Sequence, residues 1–176
     1  MDGKLIWITG LAGSGKTTIA KELYSQILKT NKNVVHLDGD MLRTILGGNY
    51  GHTIADRKAT AGIYIRLCSA LTKQGIIVIM STISLFHEVH AFNRANNKNY
   101  YEILLESDHD LRKERVEKDE TRIAMRREFY KKQENVMGVD QIPELPLTPT
   151  LVLPNNDKQH VKENVEKILQ VIGLGK

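Results

Sequence analysis

Residues 1–24, MDGKLIWITGLAGSGKTTIAKELY, decide the fold of this chain. A short apolar run ends at Thr9, and residues 10–17 then read GLAGSGKT, which satisfies the pattern G-x-x-x-x-G-K-T. A helical pattern follows at once. Glycines permit backbone conformations in which successive N–H groups point at phosphate oxygens. A strand, this loop and a helix in that order therefore predict a phosphate-binding loop.

The loop also predicts which residues hold a nucleoside triphosphate. Lys16 is expected to reach the β- and γ-phosphates, and the Thr17 hydroxyl is expected to ligate Mg²⁺. The following helix presents its positive end to the same anion. The predicted ATP-binding residues are Gly10, Ala12, Gly13, Ser14, Gly15, Lys16, Thr17 and Thr18.

The composition is that of an ordinary globular domain. The chain has 176 residues, of which 41% are hydrophobic and 26% are charged, enough for one well-buried domain over residues 1–176. The longest apolar stretch, IIVIM, is too short to cross a membrane, and no signal-peptide pattern is present. Cys68 is the one cysteine and falls in a helical pattern, which favours buried packing over a reactive thiol. We expect a cytoplasmic protein with no membrane partner.

The net charge of +4 suits a polyanionic ligand. It is compatible with nucleic acid or with small nucleotides. The sequence shows no aromatic-interleaved RNA motif, zinc-ligand spacing or recognition-helix pattern. We therefore expect a small-molecule partner and no nucleic acid.

Strand and helix patterns alternate along the chain. In the long helical pattern over residues 55–74, Ile63, Leu67 and Leu71 predict the buried face. The arrangement predicts a three-layer α/β P-loop NTPase fold with a mostly parallel five-stranded sheet and a helical lid at about residues 112–137. Strand patterns cover residues 5–9, 34–37, 76–80, 101–105 and 151–153.

Two carboxylates, Asp38 and Asp40, follow the second strand pattern. The ends of parallel strands line one crevice, so both are expected beside the triphosphate. There a carboxylate can hold magnesium or accept a proton from an attacking hydroxyl. The alternative is that Asp40 caps a helix that begins at Met41.

Further candidates follow the second and third strand patterns. Arg43 and Arg57 can bind phosphate-like groups bidentately. The hydroxyls of residues 81–84, STIS, suit a phosphate or a sugar, although turn and cap chemistry would also account for them.

The order of these motifs resembles that of the adenylyl-sulfate (APS) kinases. GLAGSGKTT, LDGDMLR, ADR, STISLF, FYKK and LPLTPTLVL follow one another between about residues 3 and 170. Members of this family move the γ-phosphate of ATP to the 3′-hydroxyl of a ribose in a second nucleotide. The resemblance implies ATP and Mg²⁺ as cofactors, with Lys16, Asp38 and Asp40 in catalysis and Thr17 and Asp38 at the metal.

The resemblance also implies an acceptor site and a lid. Arg115 is the lid residue predicted to contact ATP. Arg122, Arg126 and Arg127 are further candidates for the same role. Family members are often dimers, so a homodimer is a candidate assembly. The implied acceptor contacts are Asp40, Arg43, Arg57, Ile83, Ser84, Lys131 and Lys132.

The sequence departs from the family at the clamp for the acceptor base. In the family, one phenylalanine stacks on each face of an adenine; here His52 and Val136 stand at those positions, and residues 59–63 lack the family's E-N-I-R-R. An aromatic ring on a base contributes about 1–3 kcal/mol, so adenine binding should be weaker. Leu85 also stands where the family has proline.

The changed clamp predicts a 3′-kinase for a different nucleotide conjugate. A relative that acts on cytidine diphosphoramidate in bacterial capsule modification has this character, and that acceptor is the favoured interpretation. APS itself is the alternative. A regulatory P-loop NTPase switch is the alternative from another class, but the base-specifying N-K-x-D motif of GTPases is absent.

Overall fold

The computed structural model describes residues 3–47, 49–118 and 135–175. Helices and strands alternate along the chain, as the sequence predicts. The strands are β1 (Lys4–Thr9), β2 (Val34–Asp38), β3 (Ile77–Ser81), β4 (Tyr100–Glu106) and β5 (Leu151–Pro154). The helices are α1 (Lys16–Thr30), α2 (Gly39–Ile45), α3 (Ile54–Thr72), α4 (His87–Asn96), α5 (His109–Lys118) and α6 (Lys158–Val171).

The five strands form one sheet in the order β2-β3-β1-β4-β5. Every pairing among these described strands is parallel, so the sheet is more uniform than the mostly parallel one predicted. Parallel strands need crossover connections, which the intervening helices supply. The α/β fold is confirmed. Because β1 is the central strand, the loop that follows it lies at the middle of one edge of the sheet.

Alternate residues of β1 pack on opposite faces of the sheet. Ile6 and Ile8 belong to a core cluster with α1 and α6. Leu5 and Trp7 belong to a second cluster with α3 and α4. Side chains alternate along a strand, so a strand covered on both faces must be apolar throughout. This explains the uninterrupted apolar runs of β1 and β3 and gives the predicted three layers.

The buried face of α3 differs from the predicted one. Leu67 is 37% exposed, whereas Ala61, Tyr64 and Cys68 are almost fully buried. Ile63 and Leu71 are only partly buried. Apolar residues surround most of this helix, and packing against the sheet and α4 selects the face. The prediction for Cys68 holds, because burial raises the pKa of its thiol to about 12.

Two further points concern the helices. Residues 87–96 form α4, which the sequence analysis did not predict because two of the three residues that the helix buries, His90 and Asn93, are polar. Helix α5 covers the start of the predicted lid, while residues 119–134 lie outside the described part. Among the described residues, no helix is both long enough and apolar enough to span a membrane.

Candidate active site

A cleft of about 950 Å³ lies where β1, β2 and β3 end. Such crevices beyond the carboxyl ends of parallel strands are the usual ligand sites of open α/β sheets. Most of the predicted site residues line it. They are Ala12, Gly13, Gly15, Lys16, Thr17, Thr18, Asp38, Asp40, Arg43, His52, Arg57, Ile83, Ser84 and Arg115.

The phosphate loop has backbone conformations that its glycines permit. Gly13 and Gly15 have φ of 79° and 89°, in the left-handed region where side chains are unfavourable. A Cβ at Gly13 would collide with the backbone of Arg112, and one at Gly15 would collide with the Asn155 side chain. The loop is therefore packed closely between its neighbours and shaped as a cradle for an anion. Gly10 and Ser14 are part of the loop but are not among the described residues that line the cleft.

Lys16 and Thr17, the first residues of α1, make contacts within the site. The Lys16 Nζ donates to the Leu11 carbonyl oxygen at 2.8 Å, across the phosphate loop. The Thr17 Oγ1 donates to Asp38 Oδ2, also at 2.8 Å. The Lys16 ammonium therefore lies at the phosphate loop, and the Thr17 hydroxyl lies beside the Asp38 carboxylate.

The donor set around Thr17 and Asp38 fits magnesium bound together with a nucleotide. Hydroxyl and carboxylate oxygens are ligands that Mg²⁺ prefers, and it usually takes one or two protein ligands with phosphates and water. Within the described residues, no group of three or more His, Cys, Asp or Glu side chains could hold a metal by itself. Thr17 and Asp38 are the predicted metal ligands, and that role stays a prediction.

Asp38 and Asp40 have separate positions. Helix α2 begins at Gly39, and Asp38 Oδ1 accepts the Asp40 N–H at 3.0 Å. Asp38 is therefore the helix cap, and the alternative that Asp40 caps a helix starting at Met41 was wrong. Asp40 is exposed and lines the cleft. Its carboxylate is accessible to a ligand there.

The two arginines hold the backbone of residues 50–52. Arg43 Nη1 donates to the carbonyl oxygens of Tyr50 and Gly51 at 3.1 and 2.8 Å. Arg57 Nε donates to the His52 carbonyl oxygen at 3.0 Å, and its Nη2 donates to that of Asn135 at 2.8 Å. Both guanidinium groups thus lie beside His52 in the cleft.

His52 is neutral at physiological pH. Burial, together with the positive charges of Arg43 and Arg57, lowers its pKa to about 4. A neutral imidazole presents an aromatic face without adding positive charge, which suits stacking against a base.

Ile83 and Ser84 extend the cleft beyond β3. The Thr9 Oγ1 donates to the Ile83 carbonyl oxygen at 2.6 Å, and the hydroxyls of Thr82 and Ser84 lie 2.9 Å apart. These bonds fix the turn, so the turn chemistry considered for residues 81–84 is present. Both Ile83 and Ser84 also line the cleft, as predicted.

The predicted base contact at Val136 needs correction. Val136 is 7% exposed and is not among the described residues that line the cleft, whereas the adjacent Met137 lines it. The Asp140 carboxylate accepts the N–H groups of Asn135 and Val136, and this tight turn directs the neighbouring side chain inward. The predicted contacts Lys131 and Lys132 lie outside the described residues.

Of the four lid arginines considered, Arg115 alone lies in the described part of the chain. Arg115 Nη1 donates to the carbonyl oxygens of Asn155 and Gly13 at 2.8 and 3.3 Å. Helix α5 is thereby joined to the phosphate loop. The other candidates, Arg122, Arg126 and Arg127, lie outside the described residues.

The sequence analysis missed several lining residues, among them two aromatic residues and an asparagine. Tyr64 and Phe86 bring aromatic rings to the cleft, and Asn155 lies directly after β5. Phe86 ends the run STISLF, and Asn155 follows a parallel strand. The rule that strand ends meet at one crevice could have found both. Tyr64 carried no such signal, because its position depends on which face of α3 is buried.

The chain is similar to nucleotide kinases over nearly all of its length. A sequence profile of the adenylylsulphate kinase family matches residues 2–154. The cytidine diphosphoramidate kinase of Campylobacter jejuni is 39% identical over 97% of this chain and 96% of its own. An adenylyl-sulfate kinase of Deinococcus deserti is 30% identical over 98% of this chain and 92% of its own.

A solved structure shows the same fold. The APS kinase of Mycobacterium tuberculosis, in complex with AMPPNP and APS, superimposes with a TM-score of 0.80 and 25% identity. The match covers 98% of each chain.

Proposed function

Because the chain belongs to the adenylylsulphate kinase family, we propose that it transfers the γ-phosphate of ATP to the ribose 3′-hydroxyl of cytidine diphosphoramidate. One observation carries the proposal: a single cleft holds the phosphate loop and Asp38 together with the Arg43, His52 and Arg57 group. The similarity to the Campylobacter jejuni enzyme supports the choice of acceptor and a place in capsule biosynthesis.

The phosphate loop would bind and orient ATP. Its backbone N–H groups and Lys16 bind the phosphates, and Lys16 leaves the Leu11 carbonyl oxygen to do so. Thr17 and Asp38 would hold Mg²⁺, which when bound supplies neutralisation of charge on the transferring phosphoryl group. Arg115 covers the loop from α5 and helps to exclude water.

The other group would bind the acceptor. Arg43 and Arg57 offer planar guanidinium groups to its diphosphate-like bridge. The neutral His52 ring stacks on the base, and Ile83, Ser84 and Met137 complete the wall. Asp40, exposed in the cleft, orients the 3′-hydroxyl and accepts its proton.

APS is the second candidate acceptor. One observation favours it, the similarity to adenylyl-sulfate kinases. Tyr64 and Phe86 also border the cleft, but they are only 2% and 3% exposed and so offer little surface to a base.

A coupled ADP-release assay with ATP and Mg²⁺ tests these proposals. Parallel reactions contain cytidine diphosphoramidate, APS, CDP or no acceptor. We expect fast turnover with cytidine diphosphoramidate and little with APS. Fast turnover with APS would assign the chain to sulfate activation, and equal ADP release without any acceptor would favour a regulatory NTPase.

The setting of the reaction follows from its donor. ATP is a cytoplasmic nucleotide, so we propose that the reaction takes place in the cytoplasm. The proposed partners are small molecules, with a second copy of the chain as the remaining candidate.

A further inference from the structure

Two polar residues that the proposed reaction does not use are linked to Asp38: one contacts it directly, and the other contacts the first. Ser81, the last residue of β3, donates from Oγ to Asp38 Oδ2 at 2.7 Å. His36 Nε2 lies 3.0 Å from Ser81 Oγ. The register of β2 and β3 places Asp38 opposite Ser81, and His36 is two residues earlier on the same face of β2. The sheet itself therefore aligns the three side chains.

The direction of each hydrogen bond follows from the chemistry of the groups. The Asp38 carboxylate can only accept, so the single Ser81 proton points toward it. Ser81 Oγ must then accept from His36, which requires the proton on Nε2 of the imidazole. Thr17 donates to the same Asp38 oxygen. The result is a directed chain that runs from His36 through Ser81 to Asp38.

The Asp38 carboxylate is thus held at both oxygens. Oδ1 accepts the Asp40 N–H, while Oδ2 accepts the hydroxyls of Ser81 and Thr17. If the Thr17 oxygen becomes a metal ligand, the Ser81 bond remains. The carboxylate then keeps its orientation when the metal enters, which reduces the reorganisation that binding requires.

We propose that Ser81 and His36 are positioning residues for the magnesium site, and that they act as one hydrogen-bonded chain on Asp38. This inference rests on the proposed ATP and magnesium site, and it does not depend on the identity of the acceptor. Residues that orient metal ligands typically change metal affinity by about 10- to 100-fold when they are removed.

Calorimetric binding of AMPPNP, with and without Mg²⁺, tests the proposal without any acceptor. The ratio of the two dissociation constants measures the gain in affinity that the metal supplies. We expect Ser81→Ala to reduce this gain by about tenfold and His36→Leu to reduce it by at least threefold. Affinity without Mg²⁺ should change less than twofold. His36→Gln, whose amide can also donate, should recover most of the gain.

Two further measurements separate positioning from general loss of packing. Ser69→Ala removes another buried serine hydroxyl, on α3 and outside the cleft, and should leave the gain unchanged. In the double variant, His36→Leu should not reduce the gain further than Ser81→Ala alone does. His36 acts on Asp38 only through the Ser81 hydroxyl, which Ser81→Ala has already removed. Thermal unfolding checks that each variant folds, and Ser81→Cys replaces Ser81→Ala if that variant does not.

The proposal would be overturned if Mg²⁺ increased the AMPPNP affinity of Ser81→Ala or of His36→Leu as much as that of the unchanged protein. Additive effects in the double variant, or a His36→Gln variant as defective as His36→Leu, would also overturn it. Failure of the proposed acceptor chemistry would appear separately: the enzyme would not turn over cytidine diphosphoramidate, while Mg²⁺ would still increase its affinity for AMPPNP.

Discussion

The two carboxylates of the cleft, Asp38 and Asp40, have different surroundings and different proposed roles. Asp38 caps α2 and contacts Thr17, whereas Asp40 is exposed to a ligand. The two carboxylates are only two residues apart, yet Asp38 accepts hydrogen bonds at both of its oxygens, whereas Asp40 is exposed at the cleft. Their different surroundings suit a metal ligand and a proton acceptor.

Asp40→Asn should lower kcat by about 100-fold or more while leaving the ATP dissociation constant within twofold. The amide keeps the size of the side chain but cannot take a proton, and general-base catalysis contributes about 10²–10⁴-fold. The ADP-release assay gives kcat, and calorimetry gives ATP affinity. Asp110→Asn, at an exposed position outside the cleft, is the control. A loss of kcat below tenfold would assign the proton to another group.

Arg57→Ala should weaken acceptor binding by about 10- to 100-fold and ATP binding by less than twofold. Hydrogen bonds to a charged group contribute about 1.5–3 kcal/mol, and Arg57 also holds the His52 backbone. Calorimetric titrations with each ligand measure the two effects. Arg66→Ala, on the same helix but outside the lining of the cleft, should change neither. Equal losses for both ligands would contradict the assignment.

His52 should make stability depend on pH between about 6.5 and 4. Burial lowers its pKa from 6.5 to about 4, so the unfolded chain binds a proton there that the folded chain does not. The free energy of unfolding should therefore fall as the pH falls through this window. His36 and His90 have pKa values lowered in the same direction, mainly by burial.

Urea denaturation at pH 7.5, 6 and 5 measures this dependence. His52→Phe should flatten the decline, because it removes one of the groups that the unfolded chain protonates. His109→Gln, at an exposed position, serves as the control. An equally steep decline in His52→Phe would show that His52 does not contribute.

Loops at the strand ends join the secondary-structure elements around the phosphate loop. Asn155, between β5 and α6, donates from Nδ2 to the Ser14 carbonyl oxygen at 2.8 Å and is 1% exposed. Its own carbonyl oxygen accepts from Arg115 of α5. One residue therefore couples the phosphate loop to α5 and α6.

Asn155→Ala should weaken ATP binding by about 5- to 100-fold while acceptor affinity stays within twofold. It leaves the buried Ser14 carbonyl without that donor, which costs about 1–3 kcal/mol. Calorimetry with ATP and with the acceptor measures both. Asn156→Ala, at the less buried neighbouring position, should have a smaller effect. If Asn156→Ala proved equally damaging, the coupling would belong to the loop as a whole.

Taken as one body, the chain brings two ligand-binding groups together at one edge of a parallel sheet. The assembly of the molecule stays a prediction from the family resemblance. We expect light scattering to give a mass of about twice 19.9 kDa. Val139, Ile142 and Leu147 are largely exposed apolar side chains that a second copy could cover. A measured mass of a single chain would contradict the dimer.

The sequence alone determined the phosphate loop, the order of the five strands along the chain, and many residues of the cleft. These features depend on near neighbours in the chain. Glycines set the loop conformation, apolar runs set the buried strands, and parallel strands place their following residues at one edge. Local pattern is therefore sufficient to assign Gly13, Lys16 and Asp38 to the site.

The tertiary structure alone decided which side chains reach the ligand sites. It placed Met137 rather than Val136 at the cleft, brought in Tyr64 by selecting the buried face of α3, and joined His36 to Ser81, 45 positions later in the chain. Such contacts depend on how distant elements pack and on strand register. A periodic pattern specifies a face only where apolar residues are confined to one side.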